Sequence, residues 1–272
     1  MTLNRMHLTA LALILAIVWA FASAPPALPD HQRSSTTATI PIGLVLETVA
    51  RENDVVRSLY TKSIVGAGLK AGLRFDENWK NADVQAGPLP ALFLREAALS
   101  IQQNPVRLAL FLGSHQPISD ANQFSGSQTA IFEKILTTGE AEHFFDPGLK
   151  RWTAMFPDYA SVMACVKCHN EHPDSPKKDW VLDDVMGATT WSYPHETVSP
   201  DEFVNIIDAV RGGFRDAYRS YLQEIESFDN KPEIGTQWPS DGYAVPDEET
   251  FMKEFEQRIS ADTLNTLLES RR

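Results

Sequence analysis

Apolar residues along this chain recur at two spacings, one near helical and one at every second position, and a charge-poor run precedes both. Residues 8–24 read LTALALILAIVWAFASA without an acid or a base, behind residues 1–7, in which Arg5 is the sole Lys or Arg and no acid occurs. This predicts an export signal peptide or, left uncut, an N-terminal membrane anchor. Ala22-Ser23-Ala24 has the small residues of a cleavage site, although Pro25 behind it hinders cutting. Seventeen uncharged, mostly apolar residues are at the short limit for spanning a bilayer. A polar, Pro-rich linker follows over 25–43.

Helical spacing then dominates. Val45, Val49, Val56, Leu59, Tyr60 and Ile64 predict a long helix over 44–70 that stops among the glycines at 66, 68 and 72. Gly87-Pro88-Leu89-Pro90 breaks the chain, and 91–103 predicts a second helix with Pro90 in its first turn. Val106, Leu108, Leu110 and Leu112 alternate as in a strand. Residues 125–136 predict a further helix. His143-Phe144-Phe145, Asp146-Pro147-Gly148 and residues 149–155 predict a strand, turn and strand, and 187–191 another strand. Ser199-Pro200-Asp201-Glu202 has the form of a capping box, opening a helix to about residue 228 that Gly212-Gly213 weakens. Two short helices from Asp247 and Ala261 close the chain. Helices laid beside a few antiparallel strands make an α+β domain over 44–195, with an acidic helical C-terminal extension over 196–272.

Charge narrows the partners. The 272 residues carry 24 Lys plus Arg against 36 Asp plus Glu, a formal charge of −12, with 43% apolar and 22% charged residues. That composition excludes wholesale disorder and a multi-span membrane protein. It also lacks the clustered cations of a sequence-independent nucleic-acid binder, so no nucleic-acid partner is expected. Residues 196–272 hold 17 acids and 8 bases, three quarters of the net charge. They form either solvated helix faces or a docking surface for a basic partner.

The two cysteines are too few for a disulfide framework, and both fall in Cys165-Val166-Lys167-Cys168-His169. With two Cys and seven His, chance yields this pattern roughly 0.0004 times. Thiols at this spacing can each add across a vinyl group on one edge of a porphyrin, and the next residue brings an imidazole to the iron. One covalent haem c is therefore the first reading, with Cys165, Cys168 and His169 as cofactor-binding residues and His169 as the metal ligand. Three rivals use the same residues: a thioredoxin-type dithiol, a zinc site adding His172, and a plain disulfide, which stabilises little across so short a loop.

The motif sits in PDYASVMACVKCHNEHPDSPKKDWVLDDVMGATTWSYP, preceded by AGPLPALFLREAALSI and LALFLGSHQPISDANQF. These segments resemble the c-type haem domain with a PAS-like fold that bacteria and cyanobacteria use alone, or upstream of cyclases and histidine kinases in membrane-anchored receptors. The resemblance implies a PAS-like antiparallel sheet with flanking helices, and haem c held by Cys165, Cys168 and His169. Some members use a cysteine of the first helix as sixth iron ligand, but this chain has no third cysteine. The candidates left are His115 after the first strand, His143 in the hairpin, a thioether of Met155, Met163 or Met186, or a vacant position. His172 is expected to stay on the proximal side. Lys167, Lys177, Lys178, Arg95, Arg107 and Arg151 are candidate partners for haem propionates, and Trp152, Trp180 and Trp191 for packing on the macrocycle. Asp179, Asp183 and Asp184 lack EF-hand spacing and read as a solvated acidic turn.

No phosphate-binding glycine loop, nucleophile elbow, kinase or cyclase signature occurs, so an enzyme is not expected. Two roles remain. One is an exported, periplasmic sensor of redox state or of a diatomic gas, read by a separate signalling partner. The other is a periplasmic cytochrome exchanging one electron with a redox partner protein.

Overall fold

A computed structural model describes residues 39–81, 83–238 and 245–269. The expected signal peptide or anchor lies outside them. No helix among the described residues is long and apolar enough to cross a membrane.

Helix α1 spans Ile42–Leu59 and continues through a π-helical turn, Tyr60–Val65, into a short α-helical end, Gly66–Lys70. Its apolar positions Val45, Leu46, Val49, Val56 and Leu59 are all buried, as the spacing predicts. Thr48, Glu52 and Asn53 are buried as well, because α1 is covered on more than one side. Tyr60 in the π turn stacks on Phe93 at 4.1 Å between ring centroids and donates to the Pro88 carbonyl at 2.8 Å. Helix α2, Pro90–Gln103, begins with proline at its first position, where no amide hydrogen is needed.

Strands β1 (Ala109–Gly113), β2 (Glu142–Asp146), β3 (Arg151–Tyr159) and β4 (Val185–Tyr193) form one antiparallel four-stranded sheet in the order β1-β4-β3-β2. β2 and β3 are the expected hairpin. β1 starts later than the alternation implies, because Arg107 takes a left-handed φ of 58° and breaks the extended run. Side chains alternate between two faces. Leu110, Ala154 and Trp191 join the main core with α1 and α2, while Met155 and Ala188 form a second cluster under helix α3, Ser127–Thr138, with Phe132 and Ile135. β1 and β4 approach closely: a Cβ at Gly187 would lie 2.4 Å from the Gly113 carbonyl oxygen, so only glycine fits there.

Helix α5, Pro200–Ile225, starts at Ser199, whose hydroxyl accepts the Glu202 amide hydrogen at 3.1 Å. The other half of the expected capping box is absent, because the Glu202 carboxylate accepts instead from the Tyr193 hydroxyl. Helix α6, Glu248–Glu269, is a single helix where two short ones are expected. Phe251, Phe255 and Ile259 are buried at four-residue intervals, and Thr263 and Thr266 carry the contacts on past Ala261. The carboxylate of Glu52 on α1 receives Arg211 of α5 at 2.7 and 3.1 Å and Thr263 of α6 at 2.7 Å. Residues 196–272 thus contribute α5 and α6 to the same core as α1, α2 and the sheet.

Candidate functional site

The motif forms helix α4, Met163–Glu171, a short element that periodicity does not disclose. Val162 before it is extended, and Pro173 lies just beyond its last turn. Val166 is its one buried residue and fixes which face turns inward. Three- and four-residue separations place Cys165, Cys168 and His169 together on one helix face. Both cysteines are free thiols, Cys165 half-buried and Cys168 exposed.

A return loop closes over His169. Asn170 pairs with the Trp180 backbone through two hydrogen bonds, donating to its carbonyl at 2.9 Å and accepting its amide hydrogen at 2.8 Å. Trp180 is buried by this and meets the His169 ring edge-on, with centroids 6.3 Å apart. Lys177 lies 4.3 Å over the indole and pairs with Asp179 at 2.6 Å. Asp184 accepts the Val181 amide hydrogen at 3.0 Å, so the acidic stretch is a turn, as expected. Behind the motif, Arg57 of α1 pairs with Asp158 of β3 at 3.0 Å and donates to Thr189 of β4 at 3.4 Å.

The two histidines of the motif region differ. His172 accepts the Asp174 amide hydrogen on Nδ1 at 3.1 Å, which leaves its proton on Nε2, facing Glu77 at 3.2 Å. His169 Nδ1 is buried with no hydrogen-bond partner among the described residues. Burial, and then His172, holds the His169 imidazole below the usual histidine range, so the ring is neutral near pH 7. Burial likewise pushes both thiols up, for Cys168 with Glu77 adding to it. A neutral imidazole that no described residue hydrogen-bonds at Nδ1 and two unbridged thiols on the same helix face are the donor set that covalent haem attachment requires. Among the described residues no group of three or more His, Cys, Asp or Glu side chains is placed to hold a bare metal ion.

The remaining candidates are dispersed. His115 lies under α3, its ring 4.8 Å from Phe132 and its Nε2 3.2 Å from the Thr129 carbonyl oxygen. His143 faces Glu47 at 3.5 Å and pairs in register with Ala154, four residues before Asp158 on β3. Met155 is core, whereas Met163 is exposed in the first turn of α4. Arg107, Arg151 and Trp152 stand at the Tyr193 end of β4, opposite the end that meets the motif region, so they are not near neighbours of α4. Arg95 donates to Asn122 at 3.5 Å. Trp191 is buried in the main core. Sequence reasoning passed over Arg57, Asp158 and Asn170, whose partners are remote or carry no recognisable spacing.

No curated protein and no solved structure matches this chain. The Tll0287-like family model matches residues 43–194, which include α1 but for its first residue, the whole sheet and the motif helix. The match covers more than half of the chain, and the chain therefore belongs to the Tll0287-like family.

Proposed function

We propose that this chain is an exported monohaem c-type protein whose PAS-like domain senses redox state or a diatomic gas through the haem iron. One observation carries the reading: Cys165, Cys168 and His169 share a face of α4, with His169 neutral and its buried Nδ1 without a hydrogen-bond partner among the described residues. Family membership supports a cytochrome-like domain. In this reading Cys165 and Cys168 anchor the group by thioethers, and His169 offers a nitrogen lone pair. Trp180 walls the imidazole from water, and the Asn170 amide holds Trp180 there. Haem, when bound, supplies one-electron chemistry at its iron and, where a coordination position stays open, gas binding. No enzyme activity and no nucleic-acid partner is part of the proposal.

Sensing is favoured over electron transfer by the way the site is mounted. Arg57 links the motif side to α1 immediately before the π-helical turn, a deviation frequent at functional sites. Through Glu52, α1 is tied in turn to α5 and α6. A displacement at α4 therefore has a connected route to helices that a separate signalling partner can read. The alternative is a periplasmic electron carrier serving a redox partner protein. The exposed apolar side chains of Tyr159, Met163, Val181 and Leu182, on and around the motif, favour it.

Spectra of the reduced protein with and without CO separate the two. The sensor reading expects a shifted Soret band on adding CO. An unchanged spectrum, with fast reversible electron exchange, would move the assignment to the carrier.

A further inference from the structure

The end of the sheet farthest from α4 holds charges that the haem reading does not use. An open cleft of about 560 Å3 lies there between the segment entering β1 and the first turns of α5, lined among others by Arg107, Tyr193, Glu202, Asn205 and Asp208. That volume suits a small molecule rather than a bare ion. Tyr193 and Val185 are the two ends of β4, so about 26 Å of strand separates the cleft from the motif side.

Arg107 is held in a left-handed conformation, φ 58°, that residues with a Cβ rarely adopt. Arg151 fixes it there by donating to the Arg107 carbonyl, and is itself held by Ser192, through Oγ at 2.9 Å and the carbonyl at 2.9 Å. His195 Nε2 lies 2.8 Å from the Arg107 guanidinium and must accept from it, which makes His195 a neutral ring. Arg107 is thus fixed at both its backbone and its guanidinium, and none of these contacts supplies a negative charge. Across the cleft α5 presents Glu202, engaged by the Tyr193 hydroxyl, and the exposed Asp208. Among the described residues no salt bridge joins either arginine to either acid.

Opposite charges that face one cavity without closing on each other suit a ligand carrying both signs. We infer that this cleft binds a free α-amino acid, its carboxylate against Arg107 and its ammonium against Glu202 and Asp208. A plain anion would meet the two carboxylates, and a plain cation Arg107; a zwitterion satisfies both walls. Val106 and Ala209 supply an apolar surface for a small side chain.

The test is calorimetric titration of the full chain with free L-amino acids, with their N-acetyl and carboxamide forms, and with acetate. At least one free amino acid should bind, and blocking either its amine or its carboxylate should weaken it at least about tenfold. Arg107→Gln and Asp208→Asn should each weaken it by a similar factor. Asp208 is exposed on α5, so that variant keeps the fold, which an unchanged melting midpoint verifies. Failure of every free amino acid to bind would overturn the assignment. So would binding that survives both blocking steps, binding that acetate reproduces, or undiminished affinity in Asp208→Asn.

Discussion

His169 and His172 lie three positions apart on the same stretch of chain, yet only His172 has both ring nitrogens occupied by protein groups. The difference sets a pH dependence. Burial and then His172 hold His169 below the usual histidine range, so the unfolded chain takes up this proton before the folded one as pH falls through about 6.5. The contribution of a neutral His169 is fully present above that pH and is lost as pH falls toward the depressed folded value. Haem-free protein, made in cells without attachment machinery, should therefore lose stability across this window in urea titrations, and His169→Gln should lose less. Equal pH slopes for the two would contradict the buried, neutral ring. Arg57 and Asp158 make a second residue-scale case. Their pair is partly covered, so a double-mutant cycle should give a coupling of about 1–2 kcal/mol. A coupling near zero would mean that the pair does not fasten α1 to β3.

At the scale of elements, the crossing of α2 and α5 turns on one glycine. A Cβ at Gly213 would lie 2.5 Å from Ile101 Cγ1 and 2.9 Å from the Ala97 carbonyl oxygen, whereas one at Gly212 meets nothing within 4 Å. Gly213→Ala should cost about 1–3 kcal/mol through forced separation of the helices, and Gly212→Ala should be neutral or stabilising by up to about 1 kcal/mol. Thermal melts of the two variants check this, and equal effects would contradict the close crossing. In sequence, the Gly-Gly pair reads only as a weak point in a helix, because propensity says nothing about which of two neighbours faces another backbone. The long helices were legible for the opposite reason: α1, α2 and α5 bury enough periodic apolar residues to show their spacing. α4 was not, since nine residues anchored by Val166 alone carry no usable period. That α6 runs on unbroken past Ala261 does not show in the sequence, because the side chains that carry the helix onward, Thr263 and Thr266, are polar.

For the whole molecule, the acidic extension is the point where composition and packing diverge. Among the described residues, much of its charge lies on exposed faces of α5 and α6, whose other faces, with Phe203, Phe214, Tyr218 and Phe255, complete the main core around Phe93 of α2. Protein cut after Pro194, where the family match ends, should therefore expose α2 and lose its cooperative unfolding transition by circular dichroism. A sharp transition in the shortened chain would show that 43–194 folds unaided. The site divides in the same manner. Its donors are adjacent in sequence and were legible from spacing. The residues that shape it were hidden, because Arg57 reaches Asp158 and Thr189 across a hundred or more positions, and only the fold makes them neighbours. Covalent attachment of haem at Cys165 and Cys168, with His169 beside them, underlies the function proposed for this protein. Acid–acetone extraction of the full chain, made with cytochrome c maturation machinery, followed by the pyridine haemochrome spectrum, decides it. Haem should stay with the polypeptide and give the haemochrome of a two-thioether haem, reduced in Cys165→Ser and Cys168→Ser; haem released into the acetone would overturn the assignment.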